Sequence, residues 1–540
     1  MPVMRCLIRL AFLTVVGLVG SQVAIAQTDS GAVIETSRDG RRIALTLRSG
    51  PHPFPGDYPV SVFLPLNYDR ETAAYRVLFV FDDYGPNMLA AHDDLVQENL
   101  IHPAIIVSIA NKTSTSRNYD LTPSVWGADT GGLEVFTDLI THQLKPYLDA
   151  HFRTRPERAS TGIVGISYGG LAACWLGYFH SDTFGLAGCL EPSLWWNGNQ
   201  LLNRLQFDPE PNFGTRFWIM AADQETSSMW QNAKYAAQAL TQRGWREGTD
   251  VAFCQMHNYG HTWTAANDQA RSMLHFLLRV APPVLIGAEL TNCHGPQLVP
   301  LRPAELGGSV NAYLDLRFRH ELRMTAIDPV LVVADPRVAT LTVPVLGQLI
   351  PAGPGWTTVT TTYDGFRAVI DIQGTTSGTA PEPPLRPDAP MFVQHPANRT
   401  VNPGDDVTFS ATVSGEGTLA YQWRVDGEAI SGAAATSLTL PRVQFPDGGD
   451  YDVVVTNTSG TTASDVAILT LIGAPPKPEP TPTPTPNPGP TPMLPAAPIT
   501  EPTPAPSGGG GGGGGGSISP WFLAGLSLLG LSRRYLRPQC

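Results

Sequence analysis

Charged residues are scarce in this chain. Of its 540 residues only 15% are Asp, Glu, Lys or Arg, and the formal net charge is −12. No basic stripe runs along the sequence, whereas proteins that bind nucleic acid need clustered Lys and Arg to neutralise phosphates. The composition therefore argues against a nucleic-acid partner.

Cysteine is also rare, with six residues in the whole chain. Four of them lie in its body, at Cys174, Cys189, Cys254 and Cys293. Their spacing matches neither a zinc site nor a disulfide framework. We expect buried free thiols at Cys174 and Cys189, and no metal.

Glycine and proline, by contrast, are abundant, with 53 and 50 residues. A chain this long exceeds one hydrophobic core, so several domains of ~150 residues or fewer are expected. Changes in pattern along the chain predict six segments. They are a signal peptide (1–26), an α/β domain (32–281), a β-rich sandwich-like domain (282–380), a second all-β domain (388–473), a Pro/Thr-rich linker (474–507) and a C-terminal tail (508–540).

The N-terminal segment predicts export. Arg5 and Arg9 flank the start of an apolar run from 10 to 20, and Ala24-Ile25-Ala26 has the small-x-small pattern of a signal-peptidase site. A signal anchor is the alternative reading. We expect a protein of the periplasm or the outer cell surface.

The most informative motif is Gly165-Ile166-Ser167-Tyr168-Gly169. Residues 159–164 before it predict a buried strand, and residues 170–176 after it are typical of a helix. A serine on such a tight turn exposes its hydroxyl above the sheet edge, with the next backbone N–H facing a developing oxyanion. The motif predicts Ser167 as nucleophile and Tyr168 N–H as an oxyanion donor, with a chance match as the alternative.

A base and an acid follow in the order that hydrolases with this turn use. The predicted strand 250–256 is followed by two histidines and a helix, and we expect His261 as the base, with His257 in reserve. The base must accept the serine proton while a carboxylate holds its other nitrogen.

Three carboxylates are candidates for the acid. Glu225 and Asp223 share the polar turn after the predicted strand 217–221, and Glu191 ends another apolar stretch. We favour Glu225 and keep Asp223 and Glu191 as alternatives.

With these residues in place, positions 59–280 resemble the esterase family of α/β-hydrolases. This family includes esterase-D-like enzymes, enterobactin-type siderophore esterases and feruloyl esterases, and mycolyltransferases are more distant relatives. The resemblance rests on the serine turn and on four more segments in order: 75–83, 117–123, 191–196 and 261–263. It implies an α/β-hydrolase fold with Ser167, His261 and Glu225 as the triad.

The resemblance also implies a second oxyanion donor near Asp83. Many relatives have Asp-Gly there, where this chain has Asp82-Asp83-Tyr84-Gly85, and Glu191 replaces what is often a small residue. An added carboxylate would oppose an anionic transition state unless it is turned away.

Around the cleft we expect mainly aromatic side chains. They would suit a planar acyl group or a sugar face, and the alternative is that they simply pack in the core. These residues are Trp126, Tyr168, Trp195, Trp196 and Trp263, with Arg117 and Tyr119 nearby.

The second half of the chain predicts strands alone. Short strands between Gly and Pro turns over 282–380 suggest a sandwich whose role is spacer or glycan binding. Residues 390–471 resemble an immunoglobulin-like domain of the intermediate type, with Trp423 in the core and Tyr451 as the corner tyrosine. Ala411 and Val453 stand where antibody-type domains have paired cysteines, so the inter-sheet bridge is absent.

The C-terminal tail combines a Pro-Thr run, a glycine run (508–516), an apolar stretch (518–531) and three arginines. The first should form a disordered, semi-rigid stalk. The remainder resembles the GlyGly-CTERM sorting signal of Gram-negative bacteria, which implies transient membrane anchoring and a sorting protease as partner. The apolar stretch is shorter than the ~20 residues that span a bilayer comfortably.

Together these features predict an exported serine esterase that needs no cofactor and acts through an acyl-enzyme. Acyl or feruloyl esters of surface polysaccharides and siderophore esters are the expected substrates. An acyltransferase of the mycolyl type and a non-catalytic adhesin built on a hydrolase scaffold remain the alternatives.

Overall fold

A computed structural model describes residues 33–50, 52–54, 56–124, 131–208, 214–225, 227–256, 259–292, 299–300, 310–341, 348–374 and 389–473. The predicted signal peptide, the Pro/Thr linker, the C-terminal tail, Trp126 and His257 lie outside these residues. Within them, no helix has the length and apolar character needed to cross a membrane.

The first half of the chain builds one sheet from nine strands. They are β1 Val33–Asp39, β2 Arg42–Leu47, β3 Tyr58–Phe63, β4 Arg76–Val80, β5 Ala104–Ile109, β6 Thr161–Ile166, β7 Leu186–Leu190, β8 Arg216–Ala222 and β9 Val251–Met256. Their spatial order is β1-β2-β3-β5-β4-β6-β7-β8-β9. The strands from β5 to β9 are parallel, while β1, β2 and β3 add an antiparallel edge.

Helices cover both faces of this sheet. They are α1 Gly85–Gln97, α2 Ser114–Asp120, α3 Leu133–Leu139, α4 Lys145–His151, α5 Tyr168–Phe179, α6 Trp196–Phe207, α7 Ser227–Gln242 and α8 Trp263–Leu278. The central parallel strands β5, β6 and β7 are buried along their whole length, as expected for a sheet covered on both sides. The α/β-hydrolase architecture predicted from the sequence is confirmed.

One face of the sheet packs on α3 to α7, with Leu171 and Leu176 of α5 in its core. The opposite face packs on α1 and α8, and its core continues into the following β-rich region through Leu314 and Leu316. The β-rich region is therefore docked on the α/β domain through a shared apolar core.

The remaining strands lie in the second half of the chain and are two to nine residues long. They are β10 Leu285–Asn292, β11 Val299–Pro300, β12 Val310–Asn311, β13 Tyr313–Phe318, β14 Arg323–Thr325, β15 Val332–Val333, β16 Ala339–Leu341, β17 Gln348–Pro351, β18 Gly355–Tyr363, β19 Phe366–Gly374, β20 Met391–Gln394, β21 Arg399–Val401, β22 Val407–Ser410, β23 Thr412–Ser414, β24 Ala420–Val425, β25 Glu428–Ala429, β26 Ser437–Leu440, β27 Gly449–Asn457, β28 Gly460–Ala463 and β29 Ala467–Leu471.

The last of these strands form the immunoglobulin-like core. Trp423 is fully buried beside Val453, and Ala411 also belongs to this core. The Tyr451 hydroxyl donates to Asp447 O at 2.8 Å, which is the tie that a corner tyrosine makes. Apolar packing thus holds the sheets at the positions where a disulfide is missing.

A single sheet crosses from the β-rich region into the immunoglobulin-like region. Its strands run in the order β14-β13-β10-β28-β27-β24-β25, and Gly287 of β10 pairs with Thr462 of β28. The sequence predicted two separate all-β domains and gave no sign of this pairing.

A buried ion cluster lies at the same junction. Both Asp452 oxygens accept from Arg424, at 2.9 and 2.6 Å, and Arg319 Nη2 lies 2.9 Å from Asp452 Oδ2. Arg424 also donates to Leu285 O at 3.1 Å. One carboxylate of the immunoglobulin-like region therefore holds arginines from both β regions.

Candidate active site

Ser167 occupies a sharp turn between β6 and α5. Its φ of 62° is unfavourable for a residue with a side chain. A Cβ at Gly165 would lie 2.4 Å from the backbone of Gly169, so the turn can close only because residue 165 is glycine. The Gly-x-Ser-x-Gly spacing is thus a steric requirement of this strand-to-helix turn.

The Tyr168 N–H belongs to the first turn of α5. In that turn Leu171 N–H donates to Ser167 O at 2.9 Å, and the N–H groups before it have no intrahelical acceptor. The N–H of the residue after the serine is therefore available to an anion at the serine hydroxyl.

His261 precedes α8 and shares a cavity with Ser167. Thr262 caps α8 by accepting from Ala265 N–H, which fixes the residue before it at the helix start. The cavity has a volume of about 410 Å³, and both Ser167 and His261 line it. Folding thus brings to one opening two side chains 94 positions apart (261 − 167) in the sequence.

Two carboxylates face the same nitrogen of His261. Glu225 Oε1 lies 3.0 Å from His261 Nδ1 and Glu191 Oε2 lies 3.1 Å from it. Both carboxylates are buried, with side-chain exposures of 1% and 0%, while the imidazole is 38% exposed. Two of the three acids considered in the sequence therefore meet the base.

Backbone hydrogen bonds tie the Glu225 loop to the histidine loop and the Glu191 loop to β8. Gln224 N–H donates to Tyr259 O at 2.9 Å, and Asp223 N–H donates to Met256 O at 2.9 Å. Glu191 follows β7, the neighbour of β8, and its N–H donates to Met220 O at 2.7 Å. Asp223 thus stabilises this loop through its backbone N–H.

Burial sets the protonation of this pair. Desolvation raises the pKa of Glu191 to about 9, and the nearby charge of Glu225 adds to the effect. Ionising both of two adjacent buried carboxylates costs a large electrostatic free energy. At neutral pH the Glu191 carboxyl therefore holds a proton. The same two glutamates and His261 also bring one donor atom each within 4.8 Å of one another, a spacing that could hold a cation.

A second pair of acids follows β4, and both carboxylates have hydrogen-bonding partners. Arg117 forms a bidentate ion pair with Asp82, at 2.5 and 2.8 Å, and Asn111 donates to the same carboxylate at 2.6 Å. The Asp83 carboxylate accepts from Ser108 Oγ at 3.0 Å. The Asp82 charge is thus neutralised by Arg117, and the Asp83 carboxylate is held by a hydrogen bond from Ser108.

The Asp83 N–H, which the resemblance implies as the second oxyanion donor, already has an acceptor in the structure. The Asp83 N–H donates to Ile109 O at 3.2 Å and is not free to bind an oxyanion. Asp82 lines the cavity, and its N–H makes no backbone hydrogen bond within the described part of the chain. Asp82 N–H is the available group of this loop.

The predicted cleft residues that the structure describes separate into three groups. Arg117 and Trp263 line the cavity, and Trp263 is 48% exposed and stacks on Tyr84. Tyr168, Trp195 and Trp196 form a neighbouring aromatic cluster, in which Trp195 is 41% exposed. Tyr119 packs instead on His52 and Phe54.

The sequence missed three cavity residues. Asn111, Ile166 and Thr262 line the opening, and Asp82 was not assigned a role there. The pairing of Asp82 with Arg117 joins residues 35 positions apart. No local spacing signals such a contact, although the sequence predicts Arg117 near the cleft.

Two family models match parts of this chain. Residues 52–270 match the model of a family described as "Putative esterase", and residues 390–470 match "Immunoglobulin I-set domain". The N-terminal region is an esterase-family domain. An immunoglobulin I-set domain follows it.

Three curated proteins are similar to parts of this chain. A siderophore enterobactin esterase of Emericella nidulans is 29% identical over 173 residues, covering 27% of this chain and 57% of that protein. A siderophore triacetylfusarinine C esterase of Aspergillus fumigatus is 34% identical over 89 residues, covering 16% and 30%. Endoglucanase C of Cellulomonas fimi is 35% identical over 94 residues, covering 17% and 8%. The chain spans less than two thirds of the length of each of these relatives.

Proposed function

We propose that this protein is an exported serine hydrolase that cleaves carboxylic esters through an acyl-enzyme. The observation that carries the proposal is that Ser167 and His261 line one cavity while His261 Nδ1 lies 3.0 Å from Glu225. The esterase-family domain and the two siderophore esterases similar to it support the same reaction class.

In this mechanism Ser167 Oγ attacks the ester carbonyl, and its proton passes to His261 Nε2. Glu225 accepts from Nδ1–H, keeps Nε2 as the basic nitrogen and stabilises the imidazolium that forms. The N–H groups of Tyr168 and Asp82 hold the oxyanion. His261 then protonates the leaving alcohol, and a water molecule activated by the same ring releases the acid from Ser167.

The ion pair between Asp82 and Arg117 belongs to this scheme as a positioning contact. Asp82 carries an oxyanion donor on its backbone and an anionic side chain beside it. Arg117 neutralises that side chain, so the same residue can offer an N–H to a negative charge without repelling it.

The substrate class follows from the walls of the cavity. Trp263 and Trp195 expose broad aromatic faces at or beside the opening, and such faces stack on planar acyl groups. We favour esters with an aromatic acyl part, either feruloyl groups on polysaccharides or catecholate siderophores. Transfer to a sugar acceptor would require the same acyl-enzyme.

The decisive test is release of p-nitrophenol from a short-chain p-nitrophenyl ester, with Ser167→Ala and Ser193→Ala compared. Ser193 Oγ lies 3.4 Å from Ser167 Oγ, which makes it a matched neighbouring hydroxyl. We expect a loss of about 10⁴-fold or more for Ser167→Ala. Ser193→Ala should retain most activity.

A fluorophosphonate probe then locates the nucleophile. The adduct should appear on the peptide that contains Ser167 and be absent from Ser167→Ala. Equal turnover in the native protein and Ser167→Ala would favour the adhesin alternative. Feruloylated xylan, a catecholate siderophore and a sugar acceptor, tested in the same series, would rank hydrolysis of each ester against transfer.

A further inference from the structure

A second cavity, of about 230 Å³, lies where the β-rich region meets the immunoglobulin-like region. It opens beside the pairing of β10 with β28, and β19 packs against both strands there. Residues from all three strands line it. None of them belongs to the esterase-family domain.

Two buried polar atoms of this cavity lack a partner. Within the described residues, neither Arg317 Nε nor Ser459 Oγ makes a hydrogen bond, and both side chains line the opening. Buried donors are almost always satisfied, and an unmet one costs free energy. A ligand that accepts from the guanidinium and bonds to the hydroxyl would remove both costs.

Gly287 makes room for the guanidinium. A Cβ at this position would lie 2.9 Å from Arg317 Nη2 and 3.1 Å from Arg317 Nε. The guanidinium therefore rests against the bare backbone of β10, and it lines the cavity from there. Any larger residue at 287 would displace it.

Charge and size define the ligand. Arg317 and Arg367 face the cavity with a single acid, Glu289, which leaves an excess of one positive charge. Arg367 already donates to Thr458 O at 2.7 Å and is held in place. The volume lies below the ~300–1,000 Å³ of drug-sized sites and suits one small ring.

We propose that this cavity binds a single anionic sugar residue of the uronate type. The carboxylate pairs with Arg317, a ring hydroxyl bonds to Ser459, and Glu289 accepts from another hydroxyl. The apolar wall formed by Leu290, Ile370 and Pro390 faces the C–H side of the ring. This site adds a binding function to the proposed ester hydrolysis and is independent of it.

The test measures binding of methyl β-glucuronide to the full-length protein by calorimetry, with methyl β-glucoside and acetate as comparison ligands. The glucuronide should bind at least tenfold more tightly than either one. Arg317→Gln should weaken it at least tenfold and Ser459→Ala about threefold. Arg323→Gln, on the adjacent strand with its side chain 51% exposed, should bind as the native protein does.

Three results would overturn the proposal: no detectable glucuronide binding, unchanged binding in both Arg317→Gln and Ser459→Ala, or acetate binding as tight as the glucuronide. Ser459→Ala keeps the test valid if Arg317→Gln fails to fold. Ser167→Ala should bind the glucuronide normally, and Arg317→Gln should hydrolyse p-nitrophenyl esters normally. Failure of one site can therefore be told from failure of the other.

Discussion

Glu191 and Glu225, from the loops after neighbouring strands, each place an oxygen within 3.1 Å of the same nitrogen, His261 Nδ1. A histidine base needs one anionic carboxylate there. The other carboxyl carries a proton, and we place that proton on Glu191, whose pKa is raised to about 9 by desolvation and by the charge of Glu225. The two residues therefore have different roles in spite of their identical chemistry.

The first prediction separates those roles by amide substitution. Glu225→Gln should lower kcat for p-nitrophenyl ester hydrolysis by about 10²–10⁴-fold, because the ring loses its anionic partner. Glu191→Gln should stay within a few-fold of the native rate at pH 7, since an amide resembles a protonated carboxyl. The opposite ranking would make Glu191 the triad acid.

The second prediction concerns alkaline pH. Ionisation of Glu191 near pH 9 would place a second buried negative charge against Glu225, and repulsion between the two carboxylates should displace Glu225 from His261 Nδ1. The kcat/KM profile of the native protein should fall above about pH 9. In Glu191→Gln this alkaline fall should be absent, and an unchanged fall would assign it to another group.

The third prediction concerns stability. The folded protein keeps a proton on Glu191 up to about pH 9, whereas the unfolded chain releases it near the ordinary value of 4.5. The folded state therefore binds more protons between these values, and its stability falls as pH rises. Glu191→Gln removes this loss. The free energy of unfolding of the variant, relative to that of the native protein, should therefore rise by roughly 3 kcal/mol between pH 4.5 and pH 7. Urea unfolding at both pH values measures it, and parallel pH dependences would contradict it.

The fourth prediction tests Arg117 as a positioning residue. Arg117→Ala leaves the Asp82 carboxylate, which is 3% exposed, without its cation beside the oxyanion donor. We expect kcat/KM to fall about tenfold to a hundredfold. Arg117→Lys should recover part of it, because lysine supplies the charge without the bidentate geometry. The exposed Arg70→Ala should show no effect, and native-like rates in Arg117→Ala would remove Arg117 from the site.

The fifth prediction concerns the ion cluster at the junction of the two β regions. Asp452→Asn leaves Arg424 and Arg319 without their shared buried anion, and the loss of one partner of a buried pair costs about 3–5 kcal/mol. Denaturant unfolding should show this loss. Asp335→Asn, which breaks the exposed pair with Arg337, should change stability little. Equal effects of the two variants would mean that burial does not decide the contribution.

The serine turn could be predicted from the sequence because its steric requirement falls on neighbouring residues. Gly165 must lack a side chain where β6 turns into α5, so five consecutive residues carry the signal. The proximity of Glu225 and His261 could be predicted for a related reason, since each follows a parallel strand and the ends of such strands meet at one edge. The corner tyrosine at 451 is likewise a short-range feature, and the structure confirms it.

Other features depend on contacts that no local pattern encodes. The choice among Glu225, Asp223 and Glu191 depends on where two loops place their side chains relative to His261. The ion pair of Asp82 with Arg117 and the pairing of Gly287 with Thr462 join distant segments. Strand spacing predicted β structure after residue 282, but it could not predict that one sheet includes strands of both regions.

The sheet that passes from β10 to β28 has a mechanical consequence. Tension applied at Leu471 would load rows of interstrand hydrogen bonds and the salt-bridged Asp452 before it reached the esterase domain. The immunoglobulin-like module would then move together with the esterase domain as one rigid body, not as an independently mobile domain. The cavity that Ser167 and His261 line would then keep a fixed orientation relative to the far end of this module at Leu471.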